Sequence, residues 1–510
     1  MKKIVWILIP LSFVILLSFP TVFADGLDEL TVLSPDPSLP QSQEMMRSHL
    51  RRLSHEALDR RLEEYESLKT EIQIREYQQE MRRFFIEQLG GFPDRTPLND
   101  RVTGNRDYDG FRVEKVIYES VPGFHVTALL YLPLSAPPYP GVLLLCGHTE
   151  NGKAGYQEAG MLMAKNGIAC LCPDPIGQGE RRQLLDETGQ PVFESSTTEH
   201  NIEGIAPILL GNNIAAYMIW DGIRSIDYLV SRPDIDAGRI GCTGNSGGGN
   251  MTSYLMALDD RIACAAPSCF ISTTRRKNES PGPGDAEQNI HAQTAYGMDH
   301  PDYILMRAPR PTLVLSATRD YVPVEGAWEA FRQANRLYTR LGHGERVSMI
   351  EADDEHGFSR HLREGSVRWM RRWLLGMDDA VTEKGFVPLS DADTLCTPGG
   401  QVLLLPAAKS VFALNIEKDL QLKNQRKLLW TKTDTGKMQA EIRKIAGIRE
   451  FQNLPQPEVV KAGTIIRRGY TIARLILRWD TDIELPALLF QPDSPNGGSC
   501  LYLCDKGKHA

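Results

Sequence analysis

The sequence predicts an α/β protein whose central domain is a mostly parallel β-sheet with helices on both faces. Three observations predict it. Short β-rich runs alternate with longer amphipathic ones between Phe111 and Leu375. The runs at 140–146, 168–172 and 262–269 are apolar almost throughout rather than alternating, as strands buried on both faces are. Between a strand-like run at 239–243 and a helix-compatible run at 250–258 lies Gly244-Asn245-Ser246-Gly247-Gly248, which reads as a sharp strand-to-helix turn with a serine at its tip.

Taken in order, residues 1–24 read as a leader. Lys2-Lys3 precede an apolar core over 4–19, and Val22-Phe23-Ala24 supplies a cleavage site before Asp25, the layout of a secretory signal and so of an exported protein. An uncleaved anchor is the competing reading; no later run is long and apolar enough to span a bilayer. Residues 25–110 hold a Pro/Ser-rich tether at 33–41, then a charged helical stretch at 45–89 that Gly90-Gly91 stops. The α/β domain is expected over 111–378. Its strands fall at 113–120 and 126–132 (a hairpin), then at 140–146, 168–172, 239–243, 262–269, 311–317 and 347–352. Its helices fall at 155–166, 213–230, 250–258, 324–341 and 366–375. The polar, Gly/Pro-rich stretch 272–301 breaks that rhythm and is expected to cap the site.

Residues 379–457 read as a linker with a charged helical segment at 421–448. The tail then repeats itself. Ala487-Leu488-Leu489-Phe490-Gln491-Pro492 echoes Ala128-Leu129-Leu130-Tyr131-Leu132-Pro133, and Leu501-Tyr502-Leu503-Cys504 echoes Leu143-Leu144-Leu145-Cys146. Shared order predicts that residues 458–510 open a second, incomplete copy of the α/β domain, with sheet edges that lack partners.

The formal charge is −8, and it moves to −10 if the leader leaves with Lys2 and Lys3. Such a chain gains nothing from polyanions, which argues against nucleic acid and, after leader cleavage, against a membrane partner. The nine cysteines are scattered and mostly apolar in context, reading as small buried hydrophobes rather than a disulfide framework.

A serine hydroxyl needs a base to take its proton and an acid to orient that base. Downstream of Ser246, Asp320 follows the strand at 311–317 and His356 follows the strand at 347–352. Both stand at carboxyl ends of parallel strands, in the order Ser, Asp, His. The bland reading of Asp320 is a helix cap, and that of His356 a surface histidine. Asp353, Asp354 and Glu355 are rival acids, read as a solvated turn because a neighbour's side chain rarely reaches the far ring nitrogen. His343, His361 and His300 lack a strand-end position. The oxyanion requires two donors: the amides of Gly247 and of His148 are the candidates. Gly147 to Lys153 also spells Gly-x4-Gly-Lys, but Ala154 stands where a phosphate loop needs Ser or Thr. No spacing matches a structural zinc site, so no metal or cofactor is expected.

The chain resembles the α/β-hydrolase superfamily, and within it the acetyl xylan esterase-like proteins of exported bacterial type. The residues that carry the resemblance are Gly244 to Gly248, Asp174-Pro175-Ile176-Gly177-Gln178-Gly179, Gly284-Asp285-Ala286-Glu287-Gln288, Ala308-Pro309-Arg310-Pro311 ahead of Asp320, and His356. Ile176 and Gly247 depart from the Arg-Gly-Gln and Ser-Gln-Gly of the acetyl xylan and cephalosporin-C deacetylase pattern. The resemblance implies an α/β-hydrolase fold, a catalytic Ser246, Asp320 and His356, and hydrolysis of a small ester or an acetylated polysaccharide. Two alternatives stay open: a serine peptidase of prolyl-oligopeptidase type, and a non-catalytic carbohydrate-binding module. Asp285, Glu287 and His300 either touch substrate or brace the cap, and bracing is the expectation. Oligomeric state is left open.

Overall fold

The computed structural model describes residues 29–33, 44–280, 284–479, 481 and 483–503. The expected leader and residues 34–41 of the expected tether at 33–41 lie outside the described residues. Among those described, no single helix is long and apolar enough to cross a membrane. The chain divides into two compact units, Leu53–Met438 and a second formed by the residues before Leu53 with those from Gln439 onward.

The larger unit is built on a nine-stranded sheet in the order β1-β2-β3-β5-β4-β6-β7-β8-β9. Its strands are β1 (Arg101–Tyr108), β2 (Phe111–Val121), β3 (Phe124–Pro133), β4 (Tyr139–Leu145), β5 (Ala169–Pro173), β6 (Ile235–Asn245), β7 (Ile262–Ser268), β8 (Thr312–Arg319) and β9 (Val347–Glu355). The first three form an antiparallel meander, and β3 joins β5 antiparallel. From β5 through β9 every pairing is parallel. The strands at the sheet centre are buried on both faces: β3 to β5 have no exposed residue. That burial is what their continuous apolar wording requires. Strand β1 was not expected. It lies at the sheet edge, is exposed along most of its length, and so reads as polar sequence.

Helices cover both faces, each over one apolar cluster. They are α1 (Met45–Ser67), α2 (Glu71–Gln88), α3 (Gln157–Lys165), α4 (Ser196–Glu203), α5 (Ile214–Ser231), α6 (Gly247–Leu258), α7 (His300–Leu305), α8 (Val324–Arg340) and α9 (Arg360–Leu375); α10 (Val411–Lys432) and α11 (Thr435–Ile445) follow in the chain and are exposed along most of their length. The helical stretch at 45–89 is two helices rather than one, because Thr70 caps a new start: its hydroxyl accepts from Gln73 N and Gln73 reaches back to its amide. Buried Arg61 on α1 pairs with fully buried Asp302 on α7, and Tyr77 of α2 donates to the same carboxylate at 2.7 Å. Phe84 stacks on Tyr296 at 3.8 Å between ring centres. The N-terminal helices thus brace the region that follows β7.

The smaller unit holds a three-stranded antiparallel sheet, β10 (Glu458–Arg467), β11 (Tyr470–Arg478) and β12 (Glu484–Pro492). It matches the meander β1-β2-β3 strand for strand. Each first strand carries a register shift at a glycine, Gly104 in β1 and Gly463 in β10, and the echoed hexapeptides close β3 and β12. The second echo goes no further: Leu501 to Leu503 are exposed and in no strand. In the larger unit β4 is held between β5 and β6, and the described part of the smaller unit offers no counterpart of either.

Candidate active site

Strand β6 runs into α6 through Ser246, whose φ of 60° and ψ of −120° no relaxed L-residue favours. The turn closes only because its neighbours lack side chains. A Cβ on Gly244 would lie 2.4 Å from the Leu145 carbonyl oxygen, one on Gly248 2.0 Å from the same atom, and one on Gly249 2.2 Å from the Ser268 oxygen. Ser246 N donates to Ser268 O at 2.9 Å, tying the tip to β7.

The hydroxyl projects to His356. Ser246 Oγ lies 2.8 Å from His356 Nε2, and His356 Nδ1 lies 2.7 Å from Asp320 Oδ1. Asp320 is fixed in turn by Val322 N, which donates to Oδ1 at 2.9 Å, and its carboxylate is 1% exposed. The rival acids stay apart: Asp353 is solvent-exposed and pairs with Arg319 at 3.3 Å. Tyr321 was not anticipated. Its ring lies 4.4 Å from that of His356 and its hydroxyl 3.3 Å from Nε2. A tyrosine beside a helix start carries no signal in sequence. Cys269, at φ 51°, lies near the same carboxylate; burial first, then the Asp320 charge, pushes its thiol up to about 11.

Gly247 opens α6, so its N–H is among those a helix start leaves unbonded. The loop after β4 approaches it closely. A Cβ on Gly147 would lie 3.0 Å from Ser246 Cβ, and one on Gly247 2.9 Å from His148 Cε1. The Asp174-to-Gly179 motif holds that loop: Gln178 Nε2 donates to the carbonyls of Gly147 at 2.8 Å and Thr149 at 2.9 Å. Asp174 accepts from Thr127 Oγ1, Lys153 N and Lys153 Nζ, and Lys153 Nζ also reaches Glu180 at 2.6 Å. Lys153 is 2% exposed and fully engaged, so the Gly-x4-Gly-Lys wording marks a buried ion pair and offers no lysine to a phosphate.

Two clefts meet at Ser246 and His356. One, of about 380 Å³, is walled by Tyr321, Thr197, Lys277, Asp285 and Gln288. The other, of about 280 Å³, is walled by Gly147, Tyr156, Phe358 and Arg363. The stretch 272–301 therefore does border the site. Within it His300 is buried, stacks on Phe270 at 4.6 Å and accepts from Ser272 N at 3.4 Å; burial and the Lys277 charge hold its imidazole well below the usual range. Glu287 is buried too, with Oε1 2.9 Å from His148 Nε2 and Oε2 3.4 Å from His200 Nδ1, while Asp285 Oδ2 stands 3.4 Å from His148 Nδ1. Burial lowers the His148 pKa, but the hydrogen bond to Glu287 and the charges of Glu287 and Asp285 outweigh it and raise the group.

The acetyl xylan esterase family model matches residues 63–286, and the prolyl oligopeptidase family model matches residues 212–376. The two overlap on the Ser246 elbow and together span all nine strands of the larger sheet. The chain is an acetyl xylan esterase-like α/β-hydrolase. This hydrolase is 23% identical over 321 residues to YtaP of Bacillus subtilis (strain 168), a protein named as a hydrolase, covering 58% of the present chain and 99% of that one. Among solved structures, methylesterase BT1017 matches with a TM-score of 0.53 at 22% identity, over 69% of this hydrolase and 77% of its own chain. A glucuronoyl esterase from Solibacter usitatus overlaps less well, with a TM-score of 0.45 at 18% identity over 58% and 91% of the two chains.

Proposed function

We propose that the protein is a serine carboxylic-ester hydrolase that removes acetyl groups from a carbohydrate and is exported through its N-terminal leader. The observation that carries the chemistry is the unbroken run of contacts from Ser246 Oγ to His356 at 2.8 Å and from His356 to Asp320 at 2.7 Å. In this reading Ser246 attacks the acyl carbon as His356 Nε2 takes its proton, and Asp320 stabilises the imidazolium. The Gly247 and His148 amides receive the oxyanion. The proton returns from His356 to the departing alkoxide, leaving an acyl-enzyme. Water, deprotonated by the same ring, then releases the acid and restores Ser246. The two clefts suit this division, one for the acyl group and one for the alcohol. Similarity to the acetyl xylan esterase family over residues 63–286 supports an acetylated carbohydrate as substrate.

Fluorophosphonate labelling of the wild type and of Ser246→Ala tests the nucleophile; equal labelling would remove Ser246 from the mechanism. Acetate release from acetylated xylan, acetylated pectin and small sugar esters tests the substrate class. The prolyl oligopeptidase match over 212–376 keeps a peptidase reading in view. Cleavage of chromogenic peptides without turnover of p-nitrophenyl acetate would favour it.

A further inference from the structure

We infer that His148, His200 and Glu287 form a binding site for one divalent transition-metal ion of the zinc type, set beside the Ser246 elbow. The three residues come from the loop after β4, from α4 and from the stretch after β7. One ligand atom from each lies within 4.8 Å of the others.

The orientation of the two rings carries the argument. His200 Nε2 lies 2.7 Å from the Ile176 carbonyl oxygen, which can only accept, so that nitrogen bears the proton and Nδ1 turns inward. His148 Nδ1 likewise faces an outer carboxylate, Asp285, at 3.4 Å, and its Nε2 turns inward. Metal-bound histidines have this arrangement, with the outer nitrogen held by a carbonyl or carboxylate and the inner one free to ligate. Both inner nitrogens face Glu287.

His148 Nε2 meets Glu287 Oε1 at 2.9 Å, the length an ion pair makes, but the second inner contact stays open. His200 Nδ1 and Glu287 Oε2 stand 3.4 Å apart, and neither atom has a hydrogen-bond partner although both residues are 1% exposed. Two ligands bound at about 2.0–2.1 Å to one tetrahedral ion are about 3.4 Å apart. Donors of two imidazoles and one carboxylate suit zinc and its neighbours. A cavity of about 40 Å³ lined by all three residues and by Gly247 leaves room for a water as fourth ligand. The ion's two charges balance Glu287 and Asp285.

The local sequence serves this seat. At Gly177, φ +73°, a Cβ would lie 2.9 Å from the His200 ring, and at Gly204 a Cβ would lie 2.5 Å from that of Ala286. The glycines let α4 and the stretch after β7 close on the ion, which would lock the His148 loop to both.

The test uses the full chain, stripped with chelator and titrated with Zn2+ by calorimetry, with Cu2+ as a resonance probe. One equivalent of zinc is expected to bind, with two imidazole nitrogens resolved on Cu2+. The melting midpoint should rise by about 5 °C at free zinc about 100 times Kd. His200→Gln keeps a donor for Ile176 O but removes the inner ligand, and Glu287→Gln is isosteric. Each should weaken binding by more than about 100-fold, with folding confirmed by circular dichroism. Failure of the wild type to bind zinc, fewer than two nitrogens on Cu2+, or unchanged affinity in folded variants would each overturn the site. None of these readouts depends on ester turnover.

Discussion

Gly248 lies so close to Leu145 that a side chain at 248 would place its first carbon 2.0 Å from the Leu145 carbonyl oxygen and 2.5 Å from the carbonyl carbon. Both atoms are backbone of a central strand, so nothing flexible can yield. Gly248→Ala is expected to cost about 3 kcal/mol and to displace the elbow, abolishing activity. Gly238→Ala, where a Cβ would meet only the Asp236 side chain at 3.3 Å, should leave both near wild type. Urea midpoints and turnover of p-nitrophenyl acetate check the pair.

Asp320→Asn should leave Ser246 and His356 in place while presenting the wrong tautomer of the ring to the hydroxyl. A loss of about 10^4-fold in kcat is expected with little change in KM. A loss smaller than tenfold would hand the orienting role to another group.

Glu180 predicts how the fold answers acid. Burial raises its carboxyl, but attraction to Lys153 and hydrogen bonds from Lys153, Thr397 and the Cys396 amide outweigh that and hold it below the ordinary 4.5. Because the folded value is depressed, its contribution is complete above 4.5 and is lost as pH falls through the folded value. Acid unfolding monitored by circular dichroism should show that loss, and Glu180→Gln should lower stability at pH 7 and flatten the acid limb.

Seven of the eight described cysteines are buried and only Cys500 is exposed. Burial pushes Cys242, Cys264 and Cys396 up to about 12, so little thiolate is present at pH 8. A chromogenic disulfide reagent should react with Cys500 at once, and with those seven only after denaturation. Prompt reaction of more than two thiols, allowing for Cys504 outside the described residues, would contradict the burial.

How much was legible depended on whether neighbours in space were also neighbours in wording. The elbow is a local pattern, and its glycines announce a steric requirement that the structure meets with contacts of 2.0–2.4 Å. The strand-end rule located Asp320 and His356 because parallel strands deliver their carboxyl ends to one edge. The echo between 128–133 and 487–492 was visible as letters and proved to close two meanders of the same design. Edge strand β1 was invisible because exposure on both faces removes the alternation that marks a strand. The break before Thr70 was missed because one capping threonine is a weak signal inside a continuous charged pattern.

By itself, then, the order of residues determined the class of fold, the serine at the turn and the order of its partners, since all three follow from local backbone demands and from strand periodicity. Tertiary structure alone decided which side chains share a space. Lys153, in a loop that Ala154 already disqualifies as a phosphate cradle, is given its role as a buried ion pair because Asp174 and Glu180 fold onto it. His148, His200 and Glu287, unremarkable in spacing, converge because three separate segments pack together, burying His200 and Glu287 and half-burying His148, so that their polar atoms have few alternatives to one another.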